Sequence, residues 1–308
     1  MQEIPVAILG VTEGNGHPFS FSAIINGFDE AGMADSGWDG IHRYVRRRDR
    51  SEFGFPPLRV THAWTQDPAV TAKLQAACKI PHAVAEPAEL VGRVQAVIIA
   101  RDDHANHWAM ARPFLEAGLK VFLDKPLSLE PDELRAFLPY LERGQLMSCS
   151  GLRFAKELDE PRAELASYGR LALVRGSVLF DWPRYGVHMV EAILGLLESR
   201  PVAVTAHRCE HLSAAVEMDD GTLVLIDALG QVPKTFRVDL FGSQRITSHE
   251  IEDNFSMFRR AMGHFAHMVR TGEPPIDPQR TLDVMRVLIA GQRSHAERRR
   301  ITVDDIAL

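Results

Sequence analysis

The sequence predicts an α/β fold in which an N-terminal doubly wound parallel sheet precedes a C-terminal α+β domain with a large, mainly antiparallel sheet. In the first half, short apolar runs rich in β-branched residues alternate with helical patterns, as buried parallel strands and their crossover helices do. A glycine-rich turn follows the first of these runs. Between Val202 and Phe241, four predicted strands succeed one another without a helix, which is typical of an antiparallel sheet.

Length and composition agree with a two-domain globular protein. The chain has 308 residues, 45% of them hydrophobic and 25% charged, and we predict domains over residues 1–126 and 127–308. A net charge of −6 gives no reason to expect a nucleic-acid partner. No apolar run is long enough to span a bilayer and no signal peptide precedes the first strand, so we expect a cytoplasmic protein without a membrane partner. Three widely separated cysteines predict neither a disulfide framework nor a cysteine zinc site, and we expect no metal.

The first strand, Pro5–Leu9, leads through a glycine-rich loop into a helix predicted from about Phe19 to Asn26. Glycines let a backbone approach a pyrophosphate, and a helix N-terminus carries partial positive charge. The spacing is Gly-x-x-x-Gly-x-Gly-His-Pro instead of the usual Gly-x-Gly-x-x-Gly, so by itself it leaves a dinucleotide loop and a plain glycine turn equally open. The candidate cofactor contacts in the loop are Gly10, Thr12, Gly14, Asn15, Gly16 and His17.

The second strand, Leu58–Trp64, precedes a helix predicted over Ala69–Cys78 with Asp67 as its N-cap. In dinucleotide-binding folds an acidic side chain at the end of this strand binds the ribose 2′-hydroxyl. Here Thr65 and Gln66 stand at that position and become the candidate contacts. The choice between NAD and NADP therefore stays open.

An irregular insertion over residues 32–57 separates the first helix from the second strand. It contains five arginines, Arg43, Arg46, Arg47, Arg48 and Arg50. One interpretation is a solvated, partly helical segment. The alternatives are an electropositive flap that meets an anionic substrate or a second subunit, or a source of cations for a 2′-phosphate.

The stretch from Ala96 to Ser128 is the most informative part of the chain. It predicts a strand over Ala96–Ala100, a helix over Ala105–Ala117 and a strand over Lys120–Leu123. The last strand delivers Asp124-Lys125-Pro126 at its carboxyl end, where open α/β sheets bind their ligands. Residues after the first of these strands add the candidate cofactor contacts Arg101, Asp102, His104 and His107, the two histidines being alternatively helix caps.

The other elements follow from the same patterns. The remaining predicted strands are Ala83–Ala85, Leu146–Ser150, Leu171–Phe180, Val202–His207, Ser213–Met218, Thr222–Ala228 and Phe236–Phe241. The remaining predicted helices are Pro87–Leu90, Pro131–Arg143, Phe154–Ser167, Tyr185–Leu197, Asn254–Arg270 and Arg280–Arg298. Asp219–Gly221 suits a hairpin turn. A bare sheet face is unusual on a monomer, so we expect a homodimer or homotetramer formed through this sheet.

These residues resemble the Gfo/Idh/MocA oxidoreductase family (glucose–fructose oxidoreductase, inositol dehydrogenase and rhizopine catabolism protein). The block ending in Asp124-Lys125-Pro126 is similar to the family's strand–helix–strand block ending in Glu-Lys-Pro. YGVHMVEAILGLL is similar to the family's Asp-x-Gly-x-His segment, with Gly186 and His188 matching. SGLRF is similar to a strand that directs an arginine, here Arg153, toward the substrate.

The resemblance implies a Rossmann domain that binds NAD or NADP and a second domain that binds a sugar, cyclitol or sugar acid. It makes Lys125 and His188 the candidate catalytic residues. Lys125 would stabilise a developing alkoxide, and His188 would act as general acid/base. The candidate substrate contacts are Lys125, Arg153, Trp182, Arg184, Tyr185 and His188.

One position departs from the family pattern. Arg184 stands where the family has the aspartate that orients the histidine, and a cation there lowers the histidine pKa. Asp181 or Glu191 could replace that carboxylate, and either could instead pair with Arg184. Two cations, Arg153 and Arg184, suggest an anionic group on the substrate.

Three functions stay open at this point. The first is a nicotinamide-dependent oxidoreductase acting on a sugar-like substrate. The second is a redox-assisted elimination, hydrolysis or epimerisation that retains its cofactor. The third is a non-catalytic dinucleotide-binding sensor or partner subunit, which the missing aspartate at Arg184 favours.

Overall fold

The computed structural model describes residues 3–308, apart from the side chain of Arg208. The chain divides into two compact units. The first contains the described residues up to Leu127 together with Ala136–Ser148 and Phe258–Asp277. The second contains Ser128–Arg135, Cys149–Met257 and Pro278–Leu308. No helix within residues 3–308 is both long enough and apolar enough to cross a membrane.

The first unit is built on a parallel six-stranded sheet with the order β3-β2-β1-β4-β5-β6. Its strands are β1 Ile4–Leu9, β2 Leu58–Trp64, β3 His82–Ala83, β4 Ala96–Ile99, β5 Lys120–Leu123 and β6 Leu146–Ser148. The order reverses at β1, so β1 and β4 flank the topological switch point, where such sheets bind ligands at their carboxyl edge. The predicted doubly wound parallel sheet is confirmed.

Buried apolar strands form the centre of this sheet. All four residues of β4, Ala96–Ile99, are buried, as are Val121–Leu123 of β5. The helices of the first half are α1 His17–Asn26, α2 Glu30–Ala34, α3 Asp39–Val45, α4 Pro68–Cys78, α5 His107–Glu116 and α6 Pro131–Glu142. Helix α1 begins two residues before the predicted start because Pro18, with its fixed φ, suits the first turn. Helices α2 and α3 confirm that the arginine-rich insertion is partly helical.

The second unit contains a seven-stranded sheet with the order β12-β11-β7-β10-β9-β8-β13. Its strands are β7 Leu171–Val178, β8 Pro201–Arg208, β9 Leu212–Met218, β10 Leu223–Ala228, β11 Phe236–Gly242, β12 Ile246–Glu250 and β13 Ile301–Thr302. The β7–β10 pair is parallel and the others are antiparallel. This mixed, mainly antiparallel sheet confirms the prediction, including the β9–β10 hairpin.

Several predicted boundaries require correction. The helix predicted over Phe154–Ser167 is broken into short 3₁₀ turns around α7, Asp159–Ala163. Pro161 lies within α7 and has no N–H to donate, which limits a longer helix. The helix predicted from Tyr185 begins with a π-helical turn, Trp182–Gly186, and continues as α8, Val187–Leu194. Two long helices, α9 Asn254–Thr271 and α10 Pro278–Glu297, lie close to their predicted positions.

Candidate functional site

The glycine-rich loop joins β1 to α1 at the carboxyl edge of the first sheet. Gly10 has a φ of +79°, and a Cβ atom there would lie 2.4 Å from Cδ of Arg101, so the arginine side chain covers this glycine closely. The first turn of α1 contains no acidic residue. The partial positive charge of the helix N-terminus therefore meets no carboxylate from the helix itself, and an anionic group is favoured there.

Asn15 and His17, both in or next to the loop, hold the Asp124 carboxylate at the end of β5. Nδ2 of Asn15 donates to Oδ2 of Asp124 at 2.9 Å, and Nδ1 of His17 lies 2.5 Å from the same oxygen. The His17 ring also stacks on Phe21 and meets the Phe258 ring edge-on. These contacts join the glycine loop to the strand end that carries the candidate lysine.

Asp124 is ionised in this setting. Burial alone would raise the pKa of its carboxyl, but His17, Lys125 and Asn15 together outweigh burial and hold that pKa well below its ordinary value. The second carboxylate oxygen accepts the backbone N–H of Lys125 at 2.9 Å. Asp124 is thus a structural anion that fixes the backbone from which Lys125 projects.

The Lys125 side chain is buried, and its amino group lies beside the carboxylate of Asp102. Its side chain is 5% exposed, and Nζ lies 3.3 Å from Oδ2 of Asp102. The other Asp102 oxygen accepts the Thr12 hydroxyl. The structure therefore brings together three predicted site residues, Thr12, Asp102 and Lys125, from three separate segments. A donor held in a water-poor site can stabilise negative charge far better than one in solvent.

The residues after β2 organise the loops of this edge. The Thr65 hydroxyl donates to the Asp67 carbonyl at 2.7 Å, and the Gln66 side-chain amide makes hydrogen bonds to both the N–H and the carbonyl of Val11. Asp67 accepts the Ala69 N–H at 2.8 Å, which confirms it as the N-cap of α4. A ribose contact by Thr65 or Gln66 stays a prediction.

Arg101 and His107 flank the site on the β4 side. Nε of Arg101 donates to Asp103 at 2.8 Å while its side chain covers Gly10. The ring nitrogens of the buried His107 contact the carbonyls of Leu127 at 3.0 Å and Arg101 at 2.7 Å. These contacts give His107 a structural role at this edge, and its contact with the cofactor stays a prediction. His104 begins the 3₁₀ turn before α5.

In the second unit, α8 carries His188, which is 8% exposed. Its Nδ1 lies 2.7 Å from the Ser150 hydroxyl, and its ring meets those of Tyr185 and Phe236 edge-on at 5.2 and 5.6 Å. The predicted replacements for the orienting carboxylate lie elsewhere, since Asp181 accepts the Arg184 N–H at 3.0 Å. The hydrogen-bond partner at Nδ1 of His188 is therefore the Ser150 hydroxyl, not a carboxylate from either predicted residue.

Glu191, the other predicted replacement, pairs with Arg153. Nε of Arg153 donates to the Glu191 carboxylate, which is 1% exposed. Burial raises the pKa of that carboxyl, and Arg153 opposes the rise. Arg153 lies in a 3₁₀ turn, Gly151–Phe154, instead of the expected strand. Its Nη2 is buried and has no hydrogen-bond partner among residues 3–308, so one donor of this guanidinium is available for a ligand.

Trp182 and Arg184 differ in their surroundings. Trp182 is 1% exposed, donates its indole N–H to the Leu288 carbonyl at 3.1 Å and packs tightly against Gly186 and Gly291. The Trp182 side chain is part of the core of the second unit, and its contact with substrate stays a prediction. Arg184 is exposed, and Glu191 pairs with Arg153.

Comparison with known families now bears on the first unit. Residues 32–150 match a family model described as the GFO_IDH_MocA oxidoreductase family with an NAD-binding Rossmann fold. Over these residues the chain is similar to the Gfo/Idh/MocA oxidoreductases. No curated protein sequence matches the chain significantly.

Solved structures with the same fold cover nearly the whole chain. The apo scyllo-inositol dehydrogenase from Lactobacillus casei aligns with a TM-score of 0.78 and 12% identity over 98% of this chain and 99% of its own. A putative myo-inositol dehydrogenase from Sinorhizobium meliloti 1021 aligns with a TM-score of 0.77 and 16% identity over 98% and 100%. The scyllo-inositol dehydrogenase from Lactobacillus casei with bound NAD(H) and scyllo-inositol aligns with a TM-score of 0.74 and 13% identity. The alignment covers 98% of this chain and 100% of that one. At these identities the likeness shows the fold of the Gfo/Idh/MocA proteins and nothing finer.

Ser150 was not among the predicted site residues. The signal for it was weak, since one serine after a short apolar strand ordinarily indicates a turn. Among residues 3–308, no group of three or more His, Cys, Asp or Glu side chains is arranged to hold a metal ion.

Proposed function

We propose that this protein is an NAD-dependent oxidoreductase that transfers hydride between nicotinamide and a carbinol or carbonyl carbon of a sugar-like substrate. The observation that carries the proposal is the buried Lys125 ammonium at the carboxyl end of β5, positioned by Asp124 and Asp102. Inositol dehydrogenases with the same fold support a polyhydroxylated substrate class, which includes sugars, cyclitols and sugar acids.

The residues at this edge fit a dinucleotide. The glycine loop, the N-terminus of α1 and Arg101 are the groups that would face a pyrophosphate. The aliphatic stem of Arg101 lies against Gly10, and its guanidinium pairs with Asp103. The first amide of α1 is already used, because the N–H of His17 donates to the Asn15 side chain. We therefore assign the pyrophosphate to the loop and Arg101 more than to the helix amides. The bound nicotinamide would supply the hydride acceptor or donor.

NAD is the preferred form in this proposal. A 2′-phosphate needs a cation near the end of β2, and the residues there are Thr65, Gln66, Asp67 and Pro68. Three arginines of the insertion, Arg46, Arg48 and Arg50, instead line a cavity with Asn26 and Lys79, at the edge where the strands begin. They are therefore poorly placed for the role in NADP binding that their composition suggested.

Lys125 is assigned to the reacting oxygen. During oxidation its ammonium donates a hydrogen bond to the carbinol oxygen and stabilises the alkoxide that forms as the hydroxyl proton leaves and the C–H hydride departs. During reduction the same ammonium polarises the carbonyl. Asp102 orients the Lys125 side chain through the contact at 3.3 Å.

Within the second unit, we assign His188 to proton transfer and Arg153 to substrate binding. The Ser150 hydroxyl at Nδ1 orients the His188 ring, which makes Nε2 the atom for proton transfer. The unpartnered Nη2 of Arg153 is a ready donor to a substrate hydroxyl or carboxylate. Because Glu191 neutralises Arg153, the earlier argument for an anionic substrate loses half of its support.

The same geometry supports a second candidate, a dinucleotide-binding protein without turnover. The family's aspartate is replaced by the exposed Arg184, and a neutral hydroxyl orients His188. A neutral partner stabilises an imidazolium less than a carboxylate does, which weakens acid/base catalysis.

A fluorescence titration of the purified chain with NADH and NADPH, followed by a turnover assay on sugars, cyclitols and sugar acids, separates these functions. We expect tighter binding of NADH and reduction of NAD by at least one substrate class. Binding without turnover would indicate the non-catalytic protein. Product formed without a net change in the cofactor would indicate elimination, hydrolysis or epimerisation. If neither dinucleotide bound, the proposal would fail.

We also propose that the protein forms a homodimer or homotetramer through the second sheet. Ile246 pairs with Phe241, Phe241 with Leu173, and Leu173 with Leu223, so these four residues form an apolar row on one face of four adjacent strands. Ile246 is 67% exposed and Leu223 36%. An apolar row of this length on an open sheet is suited to contact with a second copy.

A further inference from the structure

A cavity lies in the first unit, at the edge of the parallel sheet opposite the glycine loop. It has a volume of about 670 Å³ and is lined by the end of α1, the turn that follows it, parts of residues 46–54, and Lys79 after α4. Helices α1 and α4 run back from the carboxyl edge of the parallel sheet, so their last residues lie where the strands begin. We call this space the arginine cavity.

Positive charge dominates the arginine cavity. Its ionisable lining residues are the four cations Arg46, Arg48, Arg50 and Lys79 and the two carboxylates Asp29 and Glu30. Three of the five arginines noted in the insertion therefore converge on one concave space. A run of charged residues that is only solvated has no reason to line one concave space. The shared position of these arginines therefore favours a binding site over a solvated segment.

The two carboxylates are already used inside the insertion. Asp29 accepts the N–H of Gly32 at 2.8 Å as the N-cap of α2. Glu30 contacts His42 at 2.8 Å and Arg46 at 3.6 Å. Arg48 lies 3.7 Å from Glu52, a carboxylate outside the lining. Of the ion pairs found within residues 3–308, none includes Arg50 or Lys79. The lining therefore has cationic capacity that the protein's own carboxylates leave unmatched.

The walls of the cavity are held in place by buried hydrogen bonds. The Asn26 side chain donates to the carbonyls of Val60 and Cys78 and accepts the Val60 N–H. The N–H of Gly54 donates to the Ile24 carbonyl at 2.9 Å. A preorganised wall lowers the conformational cost of binding a ligand.

An adjoining cavity of about 470 Å³ shares Asn26, Gly54 and Lys79 with the arginine cavity. Its other lining includes the apolar run Phe55–Leu58. A ligand that occupied both spaces would carry an anionic group on one side and an apolar or ring group on the other.

We propose that the arginine cavity binds the phosphoryl group of a small phosphorylated molecule, at a site separate from the dinucleotide edge. Guanidinium groups match phosphate oxygens in bidentate geometry, and several cations suit a group with two or more negative charges. A six-residue strand such as β1 separates the two edges of the sheet by roughly 20 Å. Neither site therefore needs to be filled for the other to bind.

Isothermal titration of the full chain at low ionic strength, with inorganic pyrophosphate and with phenyl phosphate as probes, tests the proposal. We expect both probes to bind in the presence of saturating NADH. Inorganic phosphate is titrated as well, and phenyl phosphate should bind more tightly than inorganic phosphate because of the apolar run Phe55–Leu58 in the adjoining cavity. Arg50→Gln and Lys79→Asn should each weaken binding about tenfold, the effect of removing one charge-assisted hydrogen bond. Asparagine is chosen at position 79 because the backbone φ of Lys79 is +55°, in the left-handed region that asparagine adopts more readily than most residues.

Arg47→Gln is the matched control, since Arg47 lies in the same exposed stretch but does not line the cavity. It should leave both affinities unchanged. Three results would overturn the proposal: no binding of either probe, equal loss in all three variants, or displacement of the probe by NADH. Tighter binding of a single-stranded oligonucleotide than of phenyl phosphate would also contradict it. NADH binding is measured on the same samples, so failure here is distinct from failure of the proposed oxidoreductase function.

Discussion

The side chains of His17 and Asp124 are in direct contact, with Nδ1 of the imidazole 2.5 Å from Oδ2 of the buried carboxylate. The first residue begins α1 after the glycine loop, and the second precedes Lys125 at the end of β5. The pair therefore joins the loop assigned to the cofactor to the residue assigned to the reacting oxygen. Displacement of one should displace the other.

Asp124→Asn should destabilise the protein by about 3–5 kcal/mol, because it leaves His17 and the Lys125 backbone without their buried anionic partner. Urea unfolding at neutral pH measures this loss. Glu217→Gln, which breaks an exposed ion pair with Arg300, is the control and should cost much less.

The stability difference between wild type and Asp124→Asn should also depend on pH. The folded-state pKa of Asp124 lies below its ordinary value of about 4, so its contribution is fully present above that value and is lost as pH falls toward the folded-state pKa. Unfolding midpoints recorded from pH 7 downward should show a constant gap that narrows only below about pH 4. A gap that widens with acid would contradict the assignment.

Asp102→Asn should lower kcat by about a hundredfold while NADH affinity changes little, because the Lys125 ammonium loses the carboxylate that orients it. Steady-state kinetics and NADH titration on the same variant separate the two effects. Equal losses in kcat and NADH affinity would instead place Asp102 in the cofactor site.

Ser150→Ala should reduce kcat about tenfold and change the shape of the pH–rate profile, because the His188 ring loses its hydrogen bond at Nδ1. Ser150→Thr keeps the hydroxyl and should restore most of the activity. A profile identical to that of wild type in Ser150→Ala would remove Ser150 from the proton-transfer assignment.

Leu223→Glu combined with Ile246→Glu should convert the proposed oligomer into monomers, because both residues lie on the apolar row of the second sheet. Light scattering coupled to gel filtration gives the mass. Val91→Glu, on an exposed residue of the first unit, is the control and should leave the mass unchanged. A monomeric wild type would contradict the proposal.

Local chemistry made much of the fold predictable. Asp67 was identified as a cap because an N-cap depends on a few neighbouring residues, and β5 was predicted to the residue because its apolar run is bounded on both sides. Strand β12 was missed because it is a polar edge strand with alternating exposure, and such strands lack the apolar signal.

The contacts of the site were less accessible because tertiary packing decides them. His17 meets Asp124 across 107 residues of sequence, and Arg153 meets Glu191 across 38. No periodicity or local motif specifies which distant carboxylate a cation will find. The same reason left the role of the insertion arginines open until three of them were seen to line one cavity.

Replacement of Lys125 by methionine tests the central claim most directly, because it removes the ammonium while keeping a side chain of similar length. We expect Lys125→Met to bind NADH as wild type does but to turn over at least about a hundredfold more slowly, the loss expected for one oxyanion donor. Lys73→Met, at an exposed position on α4, is the control and should turn over at the wild-type rate. Turnover by Lys125→Met at the wild-type rate would contradict the account.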